Sequence, residues 1–234
     1  MRVSLFVAFS GGKDSTALSL GLVAKGESIS LLYTPTGNEP PDVFPHIQKV
    51  AALCNANLII PMGPSLLGLI ERWGALPNQR QRWCTRKIKI LPAIAWAKMN
   101  RGATLAVGLR ADEESRRGGI YGDLVQQVYP LRDWGWGLPE VERYLAALEL
   151  EIPERTDCML CPMQRLGEWR ALLQDRAEEY ARGEALEAQT GHTFRSPSRD
   201  TWPTGLADLR REFNSGRTIP KRTAWPRRCR VCSM

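Results

Sequence analysis

The chain has 234 residues, 43% of them hydrophobic and 24% charged, with a net charge of +7 and six cysteines. That length suits one α/β domain with extensions, and the absence of a run of about 18 apolar residues argues against a membrane span. The opening Met-Arg-Val-Ser-Leu-Phe leads into a strand rather than a cleavable leader, so a cytoplasmic protein with no membrane partner is expected. In that compartment six cysteines favour metal or redox chemistry over structural disulfides. The charge is local: residues 195–234 hold ten Lys/Arg against three Asp/Glu, which leaves 22 against 22 in residues 1–194.

In chain order, residues 2–9 are rich in β-branched and aromatic side chains and predict a buried strand. Residues 7–15, Val-Ala-Phe-Ser-Gly-Gly-Lys-Asp-Ser, carry it through two glycines into a helix over about 13–24. Gly11 and Gly12 let the backbone approach a bound group, and the amides and dipole of the following helix favour an anion. Ser10 and Ser15 add hydroxyls and Lys13 adds charge. The spacer and terminal Gly-Lys-Ser/Thr of a Walker loop are missing, so the stretch reads as another kind of nucleotide-binding turn. The alternative is a Gly-rich turn with no ligand.

Residues 28–33 predict a second strand, and Thr34-Pro-Thr-Gly-Asn-Glu-Pro-Pro forms a loop at its C-terminal end, where open α/β sheets place ligands. Asp42 is placed to cap a helix running to about residue 54, and Cys54 on its apolar side reads as a small buried hydrophobe. A third strand over 57–61 and a helix over 64–73 follow. The run Asn78-Gln-Arg-Gln-Arg-Trp-Cys-Thr-Arg-Lys-Ile-Lys then enters a helix ending near Asn100. Cys84 sits near that helix start beside Arg82, Arg86 and Lys87, which predicts a lowered thiol pKa.

A fourth strand over 104–107 delivers Gly108, Arg110, Asp112 and Glu113 to the same sheet edge as the first motif, and a fifth spans about 125–129. From Pro130 the pattern is helical, with Pro139 in a first turn and Val141, Tyr144, Leu145 and Leu148 as candidate core. Asp157-Cys-Met-Leu-Cys-Pro precedes a helix over about 166–189, and after Gly191 only a short helix near 206–213 is predicted. The expected divisions are a nucleotide-binding α/β domain over 1–135, a helical extension over 136–194 and a basic irregular tail over 195–234. Trp202, Phe213 and Trp225 in the tail suit base stacking, so a nucleic-acid partner is one reading; a solvated tail folded on the protein's own acidic face is the other.

Ser10-Gly-Gly-Lys-Asp-Ser15 resembles the PP-loop signature. Thr36-Gly-Asn-Glu39, Cys84-Thr-Arg-Lys87, Gly108-x-Arg110, Pro130-Leu-x-x-Trp134 and Cys158-x-x-Cys-Pro162 follow in the order seen in the phosphoadenosine phosphosulfate (PAPS) reductase family. The resemblance covers about residues 3–190, and the chain is also similar to the PP-loop component of DNA phosphorothioation systems. It implies a doubly wound, mostly parallel five-stranded sheet with a helical, cysteine-containing C-terminal extension. It further implies an adenine nucleotide, ATP or else PAPS or APS, with Ser10, Gly11, Gly12, Asp14 and Ser15 on its phosphates and backbone near Ala8 and Tyr33 on its adenine.

Lys13, Asp14 and Arg110 become the candidate catalytic residues, with Gly37, Gly108, Arg116 and Arg117 added to the nucleotide site. Asp112 and Glu113 are either magnesium ligands or a solvated loop pairing with Arg116 and Arg117. His46 and His192 receive no role.

Cys158-x-x-Cys161 and Cys229-x-x-Cys232 match a four-cysteine zinc site, and soft thiolates equally suit iron and sulfide. In the cluster-bearing relatives a cysteine at the place of Cys84 acts with the later Cys-x-x-Cys. The resemblance therefore implies a [4Fe–4S] cluster on Cys84, Cys158, Cys161 and one of Cys229 or Cys232, with zinc and a metal-free dithiol as alternatives.

Three functions remain open. One is an ATP pyrophosphatase that adenylates an acceptor and is coupled to sulfur chemistry, with Mg²⁺ and a sulfur donor. The second is a sulfonucleotide reductase recycled by a thiol reductant, although the Glu-Cys-Gly-Leu-His tail of those enzymes is not found here. The third is a nucleotide-binding module with structural zinc.

Overall fold

The structure is a computed structural model, and it describes residues 5–113, 124–197 and 199–221. Five strands form one sheet: β1 (Leu5–Phe9), β2 (Ile29–Tyr33), β3 (Asn57–Ile59), β4 (Thr104–Val107) and β5 (Gln126–Val128). Their order is β3-β2-β1-β4-β5, and all four pairings are parallel. The central strands are buried on both faces because their side chains alternate between two apolar layers. Val7, Phe9, Leu31 and Tyr33 enter one core with α1 (Lys13–Ala24), α2 (Val43–Leu53) and α6 (Leu138–Ala147). Phe6, Ala8, Leu32 and Leu105 enter the other, where Ala93, Trp96 and Ala97 of α4 (Leu91–Met99) cover them. The fold is the expected doubly wound α/β type.

Between these layers and the C-terminal helices lies a third core. It joins α3 (Leu66–Trp73), the segment around Ile88 and the Cys158 loop to α7 (Leu166–Asp175), α8 (Ala177–Thr190) and α9 (Leu206–Asn214). A short α5 (Pro130–Asp133) completes the helices. No helix among the described residues is long and apolar enough to cross a membrane.

Several sequence expectations need correction. The helix predicted over 166–189 is two helices, because the backbone leaves helical geometry at Arg176 (φ −144°, ψ 58°). Asp42 precedes α2 without capping it: its own backbone is helical, its side chain caps no amide, and its carboxylate faces Arg176 at 3.8 Å. Leu148 is exposed rather than core, whereas Val141 and Leu145 are buried.

The largest change concerns residues 195–221. Arg195, Trp202, Leu206, Leu209 and Ile219 are buried in the third core, and Trp202 packs against Phe213 with ring centroids 5.6 Å apart. Trp202 is thus not free to receive a base, and Phe213 is half-buried against it. Many of the cations are also occupied: Arg195 pairs with Asp200, Arg210 with Glu184 and Arg217 with Glu212, while Arg199 donates to the Pro162 carbonyl. Trp225, Cys229 and Cys232 lie outside the described residues, as do Arg116 and Arg117.

Candidate functional site

The strand order reverses between β1 and β4, and a ligand crevice is expected beyond their C-terminal ends. Both loops named by the sequence open there. After Phe9 the chain turns through Gly11 at φ +74°, a left-handed geometry that disfavours other residues, and a Cβ there would stand 3.1 Å from Ile47 Cγ1. Gly12 then opens α1 with no side-chain cap, which leaves first-turn amides for an anion. The Ser15 hydroxyl donates to the Gly12 carbonyl at 3.0 Å, and the Ser10 amide donates to Ser15 Oγ at 3.3 Å, so the two serines tie the turn closed. Ala8 and Tyr33 lie at the ends of the adjacent strands.

Arg110 reaches this turn from β4. Its Nη1 donates to Asp14 Oδ2 at 2.8 Å and its Nε to Asp112 Oδ1 at 2.8 Å, with Glu113 Oε1 3.6 Å from Nη2. Lys13 Nζ donates to the other Asp14 oxygen at 2.7 Å. Two cations and three carboxylates thus form one network. Burial opposes the charge on Arg110, but Asp112, Asp14 and Glu113 outweigh it, so the guanidinium holds its proton more firmly than usual. Partial burial likewise opposes the Asp112 charge, and the Arg110 hydrogen bonds prevail, holding its carboxyl below the ordinary range.

The loop is braced from behind. Arg132 donates to the carbonyls of Arg110 and Glu113, and the Ala111 amide donates to the Trp136 carbonyl at 2.9 Å, which gives the Pro130–Trp134 motif a structural task. A Cβ on Gly108 would stand 3.2 Å from the Asp14 carbonyl carbon and the Ser15 nitrogen, so this glycine sets how closely the loop approaches α1. Asp112 and Glu113 pair with Arg110; Arg116 and Arg117, their expected partners, are among the residues left undescribed.

Gly37, at φ +73°, is also committed locally. The amides of Thr36 and Gly37 donate to the Glu39 carboxylate at 2.6 and 3.0 Å. The neighbouring Asn38 escaped assignment from sequence yet joins three segments: its Nδ2 donates to Glu179 Oε1 at 2.6 Å, its Oδ1 accepts from the Leu160 amide at 3.0 Å, and its carbonyl accepts from the Met159 amide at 2.7 Å. Asn38 therefore clamps the Cys158–Cys161 turn to the nucleotide edge. On its other side that turn reaches the PP-loop, since Thr156 Oγ1 lies 3.4 Å from where a Cβ on Gly12 would stand. Cys158 follows by two residues, no more than about 7 Å of chain.

His46, given no role from the sequence, is a packed part of this edge. It is buried beneath the PP-loop beside Gly11, with Nε2 3.5 Å from Thr16 Oγ1. Burial keeps its pKa below the ordinary value, against a backbone hydrogen bond at Gly11.

Three of the predicted metal ligands pack against the third core, Cys161 within reach of both Cys84 and Cys158. Cys84 lies at the mouth of a π-helical turn, Thr85–Ile90, that runs into α4, a helix irregularity common at functional sites. Cys158 is buried and hydrogen-bonds to Cys161, which raises its pKa well above the usual thiol value together with its burial. Cys84 is raised too, by burial and by the charge of Cys161, with Arg82 too weak to reverse it. The lowered pKa expected for Cys84 is thus overturned, because desolvation and a second thiol outweigh the helix start and nearby cations.

Among the described residues no group of three or more His, Cys, Asp or Glu side chains has the arrangement of a metal site. Cys84, Cys158 and Cys161 are free thiols, a donor type that soft metals prefer, but they do not make a ligand set as they stand. Cys54 is a core residue whose thiol burial pushes up to about 11.

The family model of the phosphoadenosine phosphosulfate reductase domain matches residues 4–154, which hold every element of the PP-loop edge. The chain belongs to this PAPS reductase domain family. A PAPS reductase from Candida auris, in phosphate complex, has the same fold: TM-score 0.53 and 18% identity over 64% of this chain and 75% of that one. A predicted tRNA methyltransferase subunit from Methanocaldococcus jannaschii aligns with TM-score 0.42 and 18% identity, over 62% of this chain and 75% of its own. An uncharacterised protein of the same archaeon is 25% identical over 135 residues, 54% of this chain. This family member spans about a third, 32%, of that relative's length.

Proposed function

We propose that this PAPS reductase-family chain is an ATP pyrophosphatase that adenylates an acceptor and couples that step to sulfur chemistry. The observation that carries the reading is the charge balance at the PP-loop. Lys13 and Arg110 are both taken up by Asp14, Asp112 and Glu113, so an anionic nucleotide is best received with a divalent cation, the form in which a triphosphate arrives. Asp112 and Glu113 would hold Mg²⁺, which supplies positive charge to the polyphosphate when bound.

The chain's own groups then divide the work. The uncapped amides of α1 and the hydroxyls of Ser10 and Ser15 hold phosphate oxygens, Asp14 aims the Lys13 and Arg110 cations, and Arg110 faces the charge that develops as the acceptor oxygen bonds to the α-phosphorus and pyrophosphate departs. The thiols of Cys84, Cys158 and Cys161, one short loop away, support the sulfur half; a cluster or zinc there would add soft-metal chemistry, redox-active in the first case. A sulfonucleotide reductase is the second reading, favoured by the family's own description.

Calorimetric titration with ATP, with and without Mg²⁺, and with PAPS separates them. Mg²⁺-dependent ATP binding with pyrophosphate release is the expected result, and PAPS binding indifferent to Mg²⁺ would transfer the chain to the reductase reading. Binding of neither would leave a nucleotide-independent module.

A further inference from the structure

Between Glu71 and Asp112 the chain carries nine Lys or Arg and no Asp or Glu, where the overall composition of 25 acidic residues in 234 would put about four. The fold brings two segments of this run together through Trp73, Trp83 and Lys87. Trp73 ends α3 and is 41% exposed. Its ring centroid lies 5.0 Å from that of Trp83, and Lys87 Nζ stands 5.9 Å above it. Arg72 precedes it on the helix, and Arg80 stands in the loop that returns to Trp83, in a turn where Asn78 Oδ1 accepts from the Arg80 and Gln81 amides, both at 2.9 Å. Arg72, Arg80, Arg86 and Lys87 are all exposed, and among the described residues no carboxylate pairs with them in an ion pair.

We infer that this face, and not the C-terminal segment, binds single-stranded nucleic acid. Exposed cations with no carboxylate in an ion pair recruit a polyanion, and an exposed indole among them offers a stacking platform that a polyanion without bases cannot use. The chain's own remaining charge does not suit the surface, since residues 222–234 hold four Arg and no acidic residue, and a second copy would bring the same sign. Cys84 adjoins Trp83, so a bound strand runs past the thiols. The inference concerns binding alone and holds whichever nucleotide reaction the PP-loop performs.

The test uses the full-length protein and fluorescein-labelled 20-mers of dT and U, a 20-base-pair duplex, and polyglutamate, with binding followed by anisotropy across a salt series. The wild type binds both single strands more tightly than the duplex and polyglutamate. Trp73→Ala weakens single-strand binding about tenfold, and Arg72→Glu with Arg80→Glu reduces the salt slope by about 1.4, the value for two phosphate contacts on a single strand. Circular dichroism confirms that the variants are folded, and Arg217→Glu, on the C-terminal segment, leaves single-strand affinity unchanged. Equal binding of polyglutamate, no effect of Trp73→Ala in folded protein, or loss of binding in Arg217→Glu alone overturns the inference. Pyrophosphate release measured on the same samples reports separately on adenylation: its absence from a wild type that binds the oligonucleotides removes that reaction and leaves this surface in place.

Discussion

Asp14 is placed to bring two cations to one point, and that role depends on its charge more than its size. In Asp14→Asn the amide is nearly isosteric but cannot pair with both Lys13 and Arg110. Pyrophosphate release should fall at least 100-fold while the thermal midpoint changes little, a contrast that activity assays and calorimetry resolve. Gly108→Ala tests distance instead of charge. Its methyl would press on the backbone of Asp14 and Ser15 from 3.2 Å, so nucleotide affinity should drop about tenfold through displacement of α1, readable by titration. At Cys84 the raised thiol pKa predicts that the reduced, metal-free protein is alkylated at pH 7 no faster than free cysteine, with the rate still climbing above pH 9; mass spectrometry of iodoacetamide-treated protein checks it. The turn of the PP-loop was readable from sequence because two glycines between a buried strand and a helix allow a close, left-handed bend. The sign of the Cys84 shift was not, because it depends first on burial under distant segments and then on Cys161, 77 positions later in the chain.

Among elements, the Asn38 clamp has the widest reach. Asn38→Ala leaves the buried Glu179 carboxylate and the Leu160 amide short of partners at once, which should cost about 2–4 kcal/mol in chemical denaturation. It should also loosen the Cys158–Cys161 turn from the nucleotide edge, seen as faster amide exchange at Met159 and Leu160. Element existence was largely legible: β4 fell on its expected residues, and the alternation of apolar side chains set both sheet faces. Local pattern misled where a long-range partner decided. Residues 166–189 have continuous helical periodicity, yet the chain bends at Arg176, where α7 and α8 fold against each other in the third core. Asp42 has the composition of a cap but turns to Arg176 instead.

At the scale of the whole molecule, the third core holds residues from α3 to Ile219 in one body, and its buried carboxylate makes stability depend on pH. Glu187 accepts from the amides of Leu206 at 2.6 Å and Phe194 at 3.0 Å, and burial outweighs these bonds to raise its pKa to about 7. A folded-state pKa above the unfolded one means that the native state binds the extra proton, so stability falls as pH rises from about 4.5 to about 7. Urea denaturation at pH 5 and pH 7.5 should show the decline, and Glu187→Ala, though less stable at both, should flatten it. Removing residues 195–234 should unfold the third core rather than trim a tail, since Arg195, Trp202, Leu206 and Leu209 leave with it; loss of cooperative unfolding by the truncated chain checks this. By itself the sequence determined the α/β class, the Gly-Gly turn into α1 and the family, because these rest on local spacing and on periodicity within single elements. Only the tertiary structure decided that Asn38 and Thr156 join the thiols to the nucleotide edge, that Trp202 is core with Phe213 packed against it, and that the exposed basic face lies on α3 and the turn before α4. Each of those depends on which side of a segment is covered by another far along the chain, a fact that short-range pattern does not encode.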